Sequence, residues 1–393
     1  MDTFDYLLVG GGLQNALVAS ALAARRPEAR VGLIEAAPRL GGNHTWCFHS
    51  ADIQAPERVF VEPFVVQRFP GYEVNFPELS RSLTEPYSAV SSDALHDVVT
   101  GLARRGGLEL RLGTRARRIE PGRVELADGE VLEARVVIDS RGPEQFDREA
   151  AIGFQKFVGL ELEIEAGSGP TLPTLMDARV PQSDGFRFFY VLPLAVDRLL
   201  VEDTYFSDGP ELDDAAIEAE IMAYARSRGV SVRRIIRSER GVLPLPSQVT
   251  LRAPIVPGLL RGGYQGGWFH PTTGYSFPLA VRLAATVARV PIEELCERVT
   301  ALAAREAHQQ RYATLLNRML FQAFAPEQRF HVLERFYRLP APTVRRFYAL
   351  TLTSGDRARI LCGRPPRGLS LHGFLSAIGA PRAASRPVKG TTV

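Results

Sequence analysis

The first apolar segment of the chain runs directly into a glycine turn, and a longer apolar segment follows. Residues 6–9 read Tyr-Leu-Leu-Val, residues 10–12 are glycines, and residues 16–24 are almost entirely alanine, leucine and valine. The short run predicts a buried strand and the longer run predicts a helix. The order strand, tight turn, helix is that of the first unit of a dinucleotide-binding fold.

The glycine turn has the spacing G-x-G-x-x-N, with Asn15 where a third glycine is usual. Glycine lets the backbone turn sharply and approach a pyrophosphate, and a helix N-terminus presents N–H groups to that anion. Candidate contacts are therefore Gly10, Gly12, Leu13 and Gln14. A glycine turn in another kind of βαβ unit is the alternative.

A second apolar run at residues 31–34 ends in Glu35, about 20 residues after the turn, where an acid that binds a ribose hydroxyl is expected. Residues 40–46 are too rich in glycine and polar residues for a strand. Their position predicts a loop that returns towards the nucleotide, with Asn43 and His44 as candidate contacts.

A later apolar run, residues 136–139, predicts a buried parallel strand. Doubly wound sheets bind ligands at the carboxyl ends of their strands, which makes Asp139, Arg141 and Gly142 candidates. Arg141 is equally plausible as a plain surface arginine. The preceding residues 51–90 are punctuated by prolines and are expected to be irregular.

From residue 153 to 245 the alternation of apolar and polar residues predicts strands, with one helical insert near 211–228. Residues 186–192 and 198–205 form the clearest hairpin. We predict a mainly antiparallel second sheet. Its many aromatic residues either form the wall of an apolar ligand site or pack an ordinary core.

A second glycine-rich loop, residues 262–278, opens a helix predicted to end at about residue 289. A second such loop far along the chain indicates a discontinuous nucleotide domain of flavoprotein type. We therefore expect an α/β protein with a Rossmann-type nucleotide-binding domain, a mainly antiparallel β-sheet substrate domain, a C-terminal helical region and a disordered tail. These units are predicted at residues 1–150 with 255–300, 151–254, 301–381 and 382–393, respectively.

Composition narrows the possible partners. The 393 residues carry a formal net charge of +3, which does not argue for nucleic acid. Cys47, Cys296 and Cys362 show no Cys/His metal spacing, so we predict no metal site and a reduced cytoplasmic protein. We expect no secretory signal, and no run approaches the roughly 18 apolar residues of a spanning helix. The protein is expected to be soluble or to lie on a membrane surface.

Two stretches are far more specific than the glycine turn: His-Pro-Thr-Thr-Gly-Tyr at 270–275 and Gly-Gly-Asn-His-Thr-Trp at 41–46. Supporting stretches lie at 139–142, 153–155, 176–178, 202–204 and 316–321. Together they resemble the bacterial lycopene β-cyclases, FAD-dependent carotenoid enzymes of the glutathione-reductase-like fold, over nearly the whole chain. Two departures are Ser140, where the family usually has glycine, and the Gly-Gly-Trp at 266–268.

The resemblance implies closure of one or both acyclic ψ-ends of lycopene into β-rings, without net redox change. A proton adds to the terminal double bond, an internal double bond attacks the resulting tertiary cation, and another proton leaves. The resemblance also implies reduced FAD, with NAD(P)H as electron donor. The flavin-facing loop would contribute Pro271, Thr272, Thr273, Gly274 and Tyr275.

Glu202 and Asp203 are neighbours on a predicted strand, so we expect only one to enter the substrate cavity. The resemblance favours Glu202 as the acid, and an apolar pocket would raise its pKa and keep it neutral. Asp203 could orient a neighbouring group. The alternative is a surface strand with two solvated carboxylates. His270 is the next candidate proton carrier, or else a structural histidine bonded to the backbone.

A carotenoid hydrocarbon has to be met at a bilayer, so we expect peripheral association with the cytoplasmic side of a membrane. Residues 318–346 interleave aromatic residues with arginines, which suits an interfacial region or an ordinary helical subdomain with a basic face. The sequence leaves the oligomeric state open.

Two other functions fit the same features. One is another flavoenzyme acting on an isoprenoid, such as a hydroxylase, an epoxidase or a reductase. The other is a lipid-binding protein of this fold without chemistry. The acids within an apolar strand argue against the second, because a hydrocarbon carrier has no use for buried acids.

Overall fold

The structure is a computed structural model that describes residues 3–142, 151–251, 256–362 and 365–379. The predicted boundaries at residues 150 and 254 and the predicted tail at 382–393 lie outside these residues. Its strands are β1 (Phe4–Val9), β2 (Val31–Ile34), β3 (Thr45–His49), β4 (Val65–Phe69), β5 (Tyr72–Phe76), β6 (Leu79–Leu83), β7 (Tyr87–Ser91), β8 (Glu109–Arg111), β9 (Ala116–Glu120), β10 (Arg123–Leu126), β11 (Val131–Asp139), β12 (Ala151–Ile164), β13 (Thr174–Asp177), β14 (Phe186–Ala195), β15 (Arg198–Ser207), β16 (Val232–Pro246) and β17 (Leu259–Arg261). Its α-helices are α1 (Leu13–Arg25), α2 (Arg58–Val61), α3 (Ser92–Arg104), α4 (Asp214–Ser227), α5 (Phe277–Arg289), α6 (Ile292–Ala323), α7 (Phe330–Phe336), α8 (Ala341–Tyr348), α9 (Ser354–Leu361) and α10 (Leu371–Ile378).

The first sheet has the strand order β8-β2-β1-β11-β10-β9. Strand β17 lies off this order and also pairs with β11. Its β8, β2, β1, β11 and β17 run parallel. Their carboxyl ends are in register, with Val9 opposite both Ile34 and Asp139, and Asp139 opposite Arg261. The glycine turn, Glu35, Arg141 and the second glycine loop therefore all follow one edge of this sheet.

The second sheet has the order β16-β12-β15-β14-β13-β5-β6 and is antiparallel except between β13 and β5. One face of its long strands packs against α4. The other face carries the residues of the cavity described below. Strands β3, β7 and β4 form a small third sheet.

The helices complete two cores. Helices α1 and α5 pack against each other and against the parallel sheet. The aromatic residues of α7 and α8 pack against β5, β14 and the end of α6. Among the helices of the described residues, none combines the length and apolar character needed to cross a bilayer.

The predicted fold class is confirmed, including the hairpin of β14 and β15 and the helix that follows the second glycine loop. The expectation that residues 51–90 are irregular is wrong, because they form β4 to β7. Pro70, Pro77 and Pro86 each lie between two of these short strands, so the prolines mark turns. β5 and β6 extend the second sheet, whose other strands lie between residues 151 and 246.

Candidate active site

A cavity of about 810 Å³ lies between the carboxyl edge of the parallel sheet and one face of the second sheet. The edge of the parallel sheet contributes Gly12, Leu13, Gln14, Ser140, Arg141 and Gly142. The facing sheet contributes Phe157, Phe188, Tyr190, Glu202, Thr204 and Phe206. Trp46 and Trp268 also line the cavity, which therefore has a glycine-rich side and an aromatic side.

The glycine turn has the features of an anion cradle. Gly10 has φ +96°, and a Cβ there would lie 2.9 Å from the backbone nitrogen of Arg141. A Cβ on Gly12 would meet no described atom within 4 Å, so the backbone is open to the cavity at this point. Helix α1 begins at Leu13, and no side chain of the described residues caps it. These features fit the pyrophosphate of FAD.

Asn15, which stands where the glycine turn usually has a third glycine, and Ser140, which stands where the family usually has glycine, are hydrogen-bonded to each other. Ser140 Oγ donates to Asn15 Oδ1 at 3.0 Å, and Asn15 Nδ2 donates to the carbonyl oxygens of Val9 and Gly10 at 3.0 and 2.9 Å. A buried amide thus ties the glycine turn to the end of β11. Each departure supplies the other's hydrogen-bond partner.

Glu35 and Asn43 lie beside the cavity lining and hold backbone in place. Glu35 accepts hydrogen bonds from the Gly11 and Ala37 amides at 2.6 and 2.7 Å. These bonds hold the backbone of the glycine turn in place. Asn43 accepts a hydrogen bond from Arg237 at 2.9 Å and ties its loop to β16. Of the two loop candidates, His44 is the one that lines the cavity.

Asp139 positions Arg141. The buried carboxylate of Asp139 accepts from Arg141 Nε and Nη2 at 2.9 and 3.0 Å. This two-point contact holds the guanidinium at the cavity edge, where Gly142 also lies. The Arg141 side chain is 29% exposed and lines the cavity.

The second glycine loop has a cavity face and a helix face. Its cavity face consists of Thr273, Gly274 and Tyr275. On the helix face, Pro271 O accepts from Asn317 Nδ2 at 2.8 Å and Thr272 Oγ1 donates to Ala313 O at 3.1 Å. Contacts to α6 therefore fix the loop, and its last residues face the cavity.

His270 has a structural environment. Its Nδ1 accepts from the Thr272 amide at 3.1 Å, so its Nε2 donates to Phe347 O at 3.0 Å. Burial lowers its pKa to about 3. The ring is neutral, has both nitrogens engaged and is absent from the cavity lining, which matches the structural alternative.

Asp203 lies on the opposite face of β15 from Glu202. It is fully buried, accepts from Arg187 Nε and Nη2 at 2.9 and 2.7 Å, and accepts from Tyr205 Oη at 2.9 Å. The structure therefore separates the two acids as the strand period requires. Asp203 belongs to an ion pair beneath α4, and Glu202 faces the cavity.

Glu202 faces Glu239 across Gly159. The register places Gly159 of β12 opposite both glutamates, which lie on β15 and β16. A Cβ on Gly159 would lie 2.8 Å from Glu202 Cγ and 3.2 Å from Glu239 Cγ, so the two side chains approach each other over this glycine. Burial, and then the Glu239 carboxylate, raise the pKa of Glu202 well above its ordinary value, although Arg237 opposes this. The site therefore contains a neutral carboxyl group that faces an aromatic cavity.

Glu239 and Tyr190 were missed in the sequence. Tyr190 of β14 lies opposite Glu202, so one row across the sheet reads Glu239, Gly159, Glu202, Tyr190. The available signal was Gly159, since an isolated glycine in a strand marks a close approach. The identity of the approaching groups required the strand register.

Comparisons of the sequence with known proteins point to one family. A family model described as "Lycopene cyclase protein" matches residues 5–372. A lycopene beta-cyclase of Pseudescherichia vulneris is 42% identical over 92% of this chain and 94% of its own. A lycopene beta-cyclase of Pantoea ananas is 39% identical over 92% of this chain and 95% of its own.

Among solved structures, a probable FAD-dependent monooxygenase from Pseudomonas aeruginosa, pqsL, aligns with a TM-score of 0.59. The alignment covers 84% of this chain and 98% of that one at 17% identity. This likeness shows the flavoprotein fold.

Proposed function

The chain belongs to the lycopene cyclase family, and on this premise we propose that the cavity is where it closes the ψ-ends of lycopene into β-rings, with Glu202 as the acid. Its function is that of a FAD-dependent lycopene β-cyclase. The observation that carries the assignment of roles is the Glu202 carboxyl, which is held neutral and faces an aromatic wall. A hydrocarbon carrier would have no use for this acid.

FAD fits the glycine-rich side of the cavity. Gly10, Gly12 and the start of α1 would hold the pyrophosphate, because the Gly12 backbone is open and the helix presents unpaired N–H groups there. Arg141, fixed by Asp139, adds a positive charge at the same edge. When bound, reduced FAD supplies an electron-rich, negatively charged ring system that stabilises a nearby cation.

Glu202 would start the reaction by donating its proton to the terminal double bond. The resulting tertiary cation is attacked by an internal double bond, the ring forms, and one ring proton leaves, so atoms and electrons balance without an oxidant. General acid assistance of this kind contributes about 10²–10⁴-fold. The neutral state of Glu202 is essential, because a carboxylate has no proton to give.

The aromatic wall would stabilise the cation and exclude water. Phe157, Phe188 and Phe206 line the cavity beside Glu202, and Tyr190 lies next to it in register. Aromatic faces attract cations by about 0.5–2 kcal/mol each. A dry wall also prevents water from trapping the cation as an alcohol.

The electron donor is a further part of the proposal. Ring closure leaves the flavin's redox state unchanged, so electrons are needed only to prepare the reduced form. NAD(P)H would serve as that reductant.

We place the membrane contact on α10 and propose peripheral association on the cytoplasmic side. Leu371, Leu375 and Ile378 are 70%, 62% and 55% exposed, and their spacing puts them on one helical face. The stretch 318–346 has no comparable surface, because Phe336 and Tyr337 are buried and Arg329 is bound to Asp208. A bilayer would cover the apolar face of α10 and is where the substrate resides.

Helix α10 is also tied to the strand that lines the cavity. Arg318 donates to Ala377 O of α10 at 3.0 Å and to Ser247 O, just beyond β16, at 2.8 Å. Gly241, Val242 and Leu243 of β16 line the cavity. A membrane-bound α10 would therefore hold this wall close to the bilayer.

The test is conversion by the purified enzyme in lycopene-loaded liposomes, with chemically reduced FAD and no oxygen. We expect β-ringed product and no oxidised flavin per ring formed. An oxygenated or hydrogenated product, or one flavin oxidised per turnover, would contradict the proposed chemistry.

A further inference from the structure

Glu239, which faces Glu202 across Gly159, has no role in the reaction as described so far. It is 4% exposed and lies on β16, two strands away from Glu202. Two carboxyl groups placed together inside a protein resist ionising at the same time. This arrangement needs an explanation in terms of function.

We propose that Glu202 and Glu239 hold one proton between them and that Glu239 is the positioning residue that keeps this proton on Glu202, facing the substrate. The proposal deepens the function proposed above and rests on Glu202 being the acid.

Gly159 makes the pair possible. A Cβ at this position would lie 2.8 Å from Glu202 Cγ and 3.2 Å from Glu239 Cγ. Any larger residue would push the two side chains apart across β12. Glycine weakens a strand interior, so its presence in the middle of β12 agrees with a need for close approach.

Arg237 selects which member of the pair is ionised. Its Nη1 donates to Glu239 Oε2 at 2.9 Å, while its Nε donates to Glu161 Oε2 at 2.6 Å. A guanidinium bonded to Glu239 favours the anion there. The shared proton is therefore left on Glu202, the member that lines the cavity.

The net charge of the groups around the pair favours one bound proton. Three carboxyl groups (Glu161, Glu202 and Glu239) meet two guanidinium groups (Arg198 and Arg237), so full ionisation would leave one net negative charge. One proton on the pair makes the cluster neutral, and this state is favoured because Glu161 and Glu239 are buried.

Other titratable groups facing the pair add no charge that alters this count. Burial raises the pKa of the Cys47 thiol to about 12 and holds that of Tyr190 well above its ordinary value, so both are neutral. Arg240 is paired with Asp214. The lining near β3 also includes His44, which is exposed, and His49, which is buried with its ring against Tyr72 and Tyr87.

The pair can also take back a proton at the end of the reaction. Donation from Glu202 forms a carbon–hydrogen bond on the substrate and leaves two neighbouring carboxylates. That excess charge favours return of a proton, and the proton released from the ring restores the starting state. No redox partner is needed for these steps.

The experiment measures the pH profile of cyclisation by Glu239→Gln, with Glu239→Asp as the conservative variant. Activity requires a protonated Glu202 and therefore falls as pH rises through its pKa. Removing the neighbouring carboxylate lowers that pKa, so this fall should move to lower pH by at least about one unit, with activity retained on the acid side. Glu239→Asp should restore the parent profile at least in part.

Glu163→Gln is the matched control. Glu163 lies on the same β12 and pairs with the exposed Arg234 at 2.7 Å, away from the cavity lining. Its pH profile should match the parent's. Thermal unfolding and FAD retention are measured for every variant, since a merely structural role would change these without moving the pH profile.

Two outcomes overturn the proposal. One is an unchanged pH profile in folded, FAD-binding Glu239→Gln. The other is complete inactivity of that variant at every pH, which would make Glu239 itself the donor. Either result leaves the assignment of Glu202 to be judged separately by Glu202→Gln, which should be inactive at every pH.

Should Glu239→Gln fail to fold, the parent protein still decides the question by infrared spectroscopy. A protonated-carboxyl band that persists at neutral pH in the parent and disappears in Glu202→Gln supports the pair. Its absence in the parent contradicts the pair.

Discussion

Two adjacent acids on β15 have different surroundings because successive side chains of a strand point to opposite faces. Asp203 is compensated by Arg187 and Tyr205. Glu202 lacks a comparable cation at bonding distance among the described residues and faces Glu239. At the residue scale, the chemistry therefore depends on which face a carboxyl occupies.

His270 provides a pH test of its structural role. Burial lowers its pKa to about 3, so the unfolded chain, with a pKa near 6.5, binds the proton first. The stabilisation is complete above about pH 6.5 and is lost as the pH falls. Between pH 7 and 5 the parent should lose about 2 kcal/mol of unfolding free energy through this group.

The measurement compares denaturant unfolding of the parent and His270→Gln at pH 7 and pH 5. The stability difference between them should shrink by this amount at pH 5. His372→Gln, on the exposed side of α10, should keep the parent's pH dependence. An equal difference between the parent and His270→Gln at both pH values would show that His270 is not held neutral.

Individual residues were predictable where local rules apply. The strand period separated Glu202 from Asp203, and the glycine spacing located Gly10 and Gly12. Glu239 was not predictable, because its partnership depends on two strand registers that join residues 159, 202 and 239. For the same reason Glu35 could be placed beside the turn, but its bonds to the Gly11 and Ala37 amides could not be foreseen.

At the scale of elements, the turn between β1 and α1 offers a clean test of cofactor binding. Gly12→Val adds a side chain where no described atom lies within 4 Å, so the fold should be retained. The side chain blocks approach of a pyrophosphate, and losing a charge-assisted hydrogen bond there should weaken FAD binding by at least about tenfold.

Flavin fluorescence titration measures this affinity, with a sample of the variant that is folded and monodisperse. Gly355→Val in α9 is the control, because a Cβ there meets only Thr353 Oγ1 at 3.8 Å and lies far from the cavity lining. Parent-like affinity in Gly12→Val would remove the pyrophosphate from this turn.

Helix α10 provides a second test at this scale. Leu371→Asp combined with Leu375→Asp should lower liposome binding by at least about tenfold, because each buried leucine contributes roughly 1.5–3 kcal/mol. Liposome flotation measures the bound fraction. Val59→Asp with Val196→Asp is the control, since both valines are exposed, at 63% and 70%, on α2 and in the turn between β14 and β15. Equal binding by the two double variants would exclude α10 as the membrane contact.

Elements were predicted well where one pattern dominates, as in β1, α1 and the β14–β15 hairpin. Residues 51–90 were misjudged because short strands between prolines show too few alternations to be recognised. The sequence of residues 318–346 could not distinguish an interfacial region from a helical subdomain, because interleaved aromatic residues and arginines suit both. In the structure, Phe336 packs in the core and Arg335 donates to the carbonyl oxygen of Ile360.

At the scale of the whole molecule, the cavity arises where two sheets meet. The parallel sheet contributes an edge that suits a dinucleotide, and the second sheet contributes an aromatic face with one row of acids. In the proposed function, Glu202 on the facing sheet supplies the proton chemistry of this cavity. The fold class was predictable from the two glycine loops, whereas the meeting of the sheets was not.

The most direct test of this account is the rate of cyclisation by Glu202→Gln in lycopene-loaded liposomes with reduced FAD and no oxygen. Glutamine keeps the shape of the side chain but delivers no proton, so the rate should fall by at least about 10²-fold while folding and FAD binding persist. In deuterated water the parent should place one solvent deuterium at the protonated carbon of each ring. A folded, FAD-binding Glu202→Gln enzyme that cyclises at close to the parent rate would contradict the account.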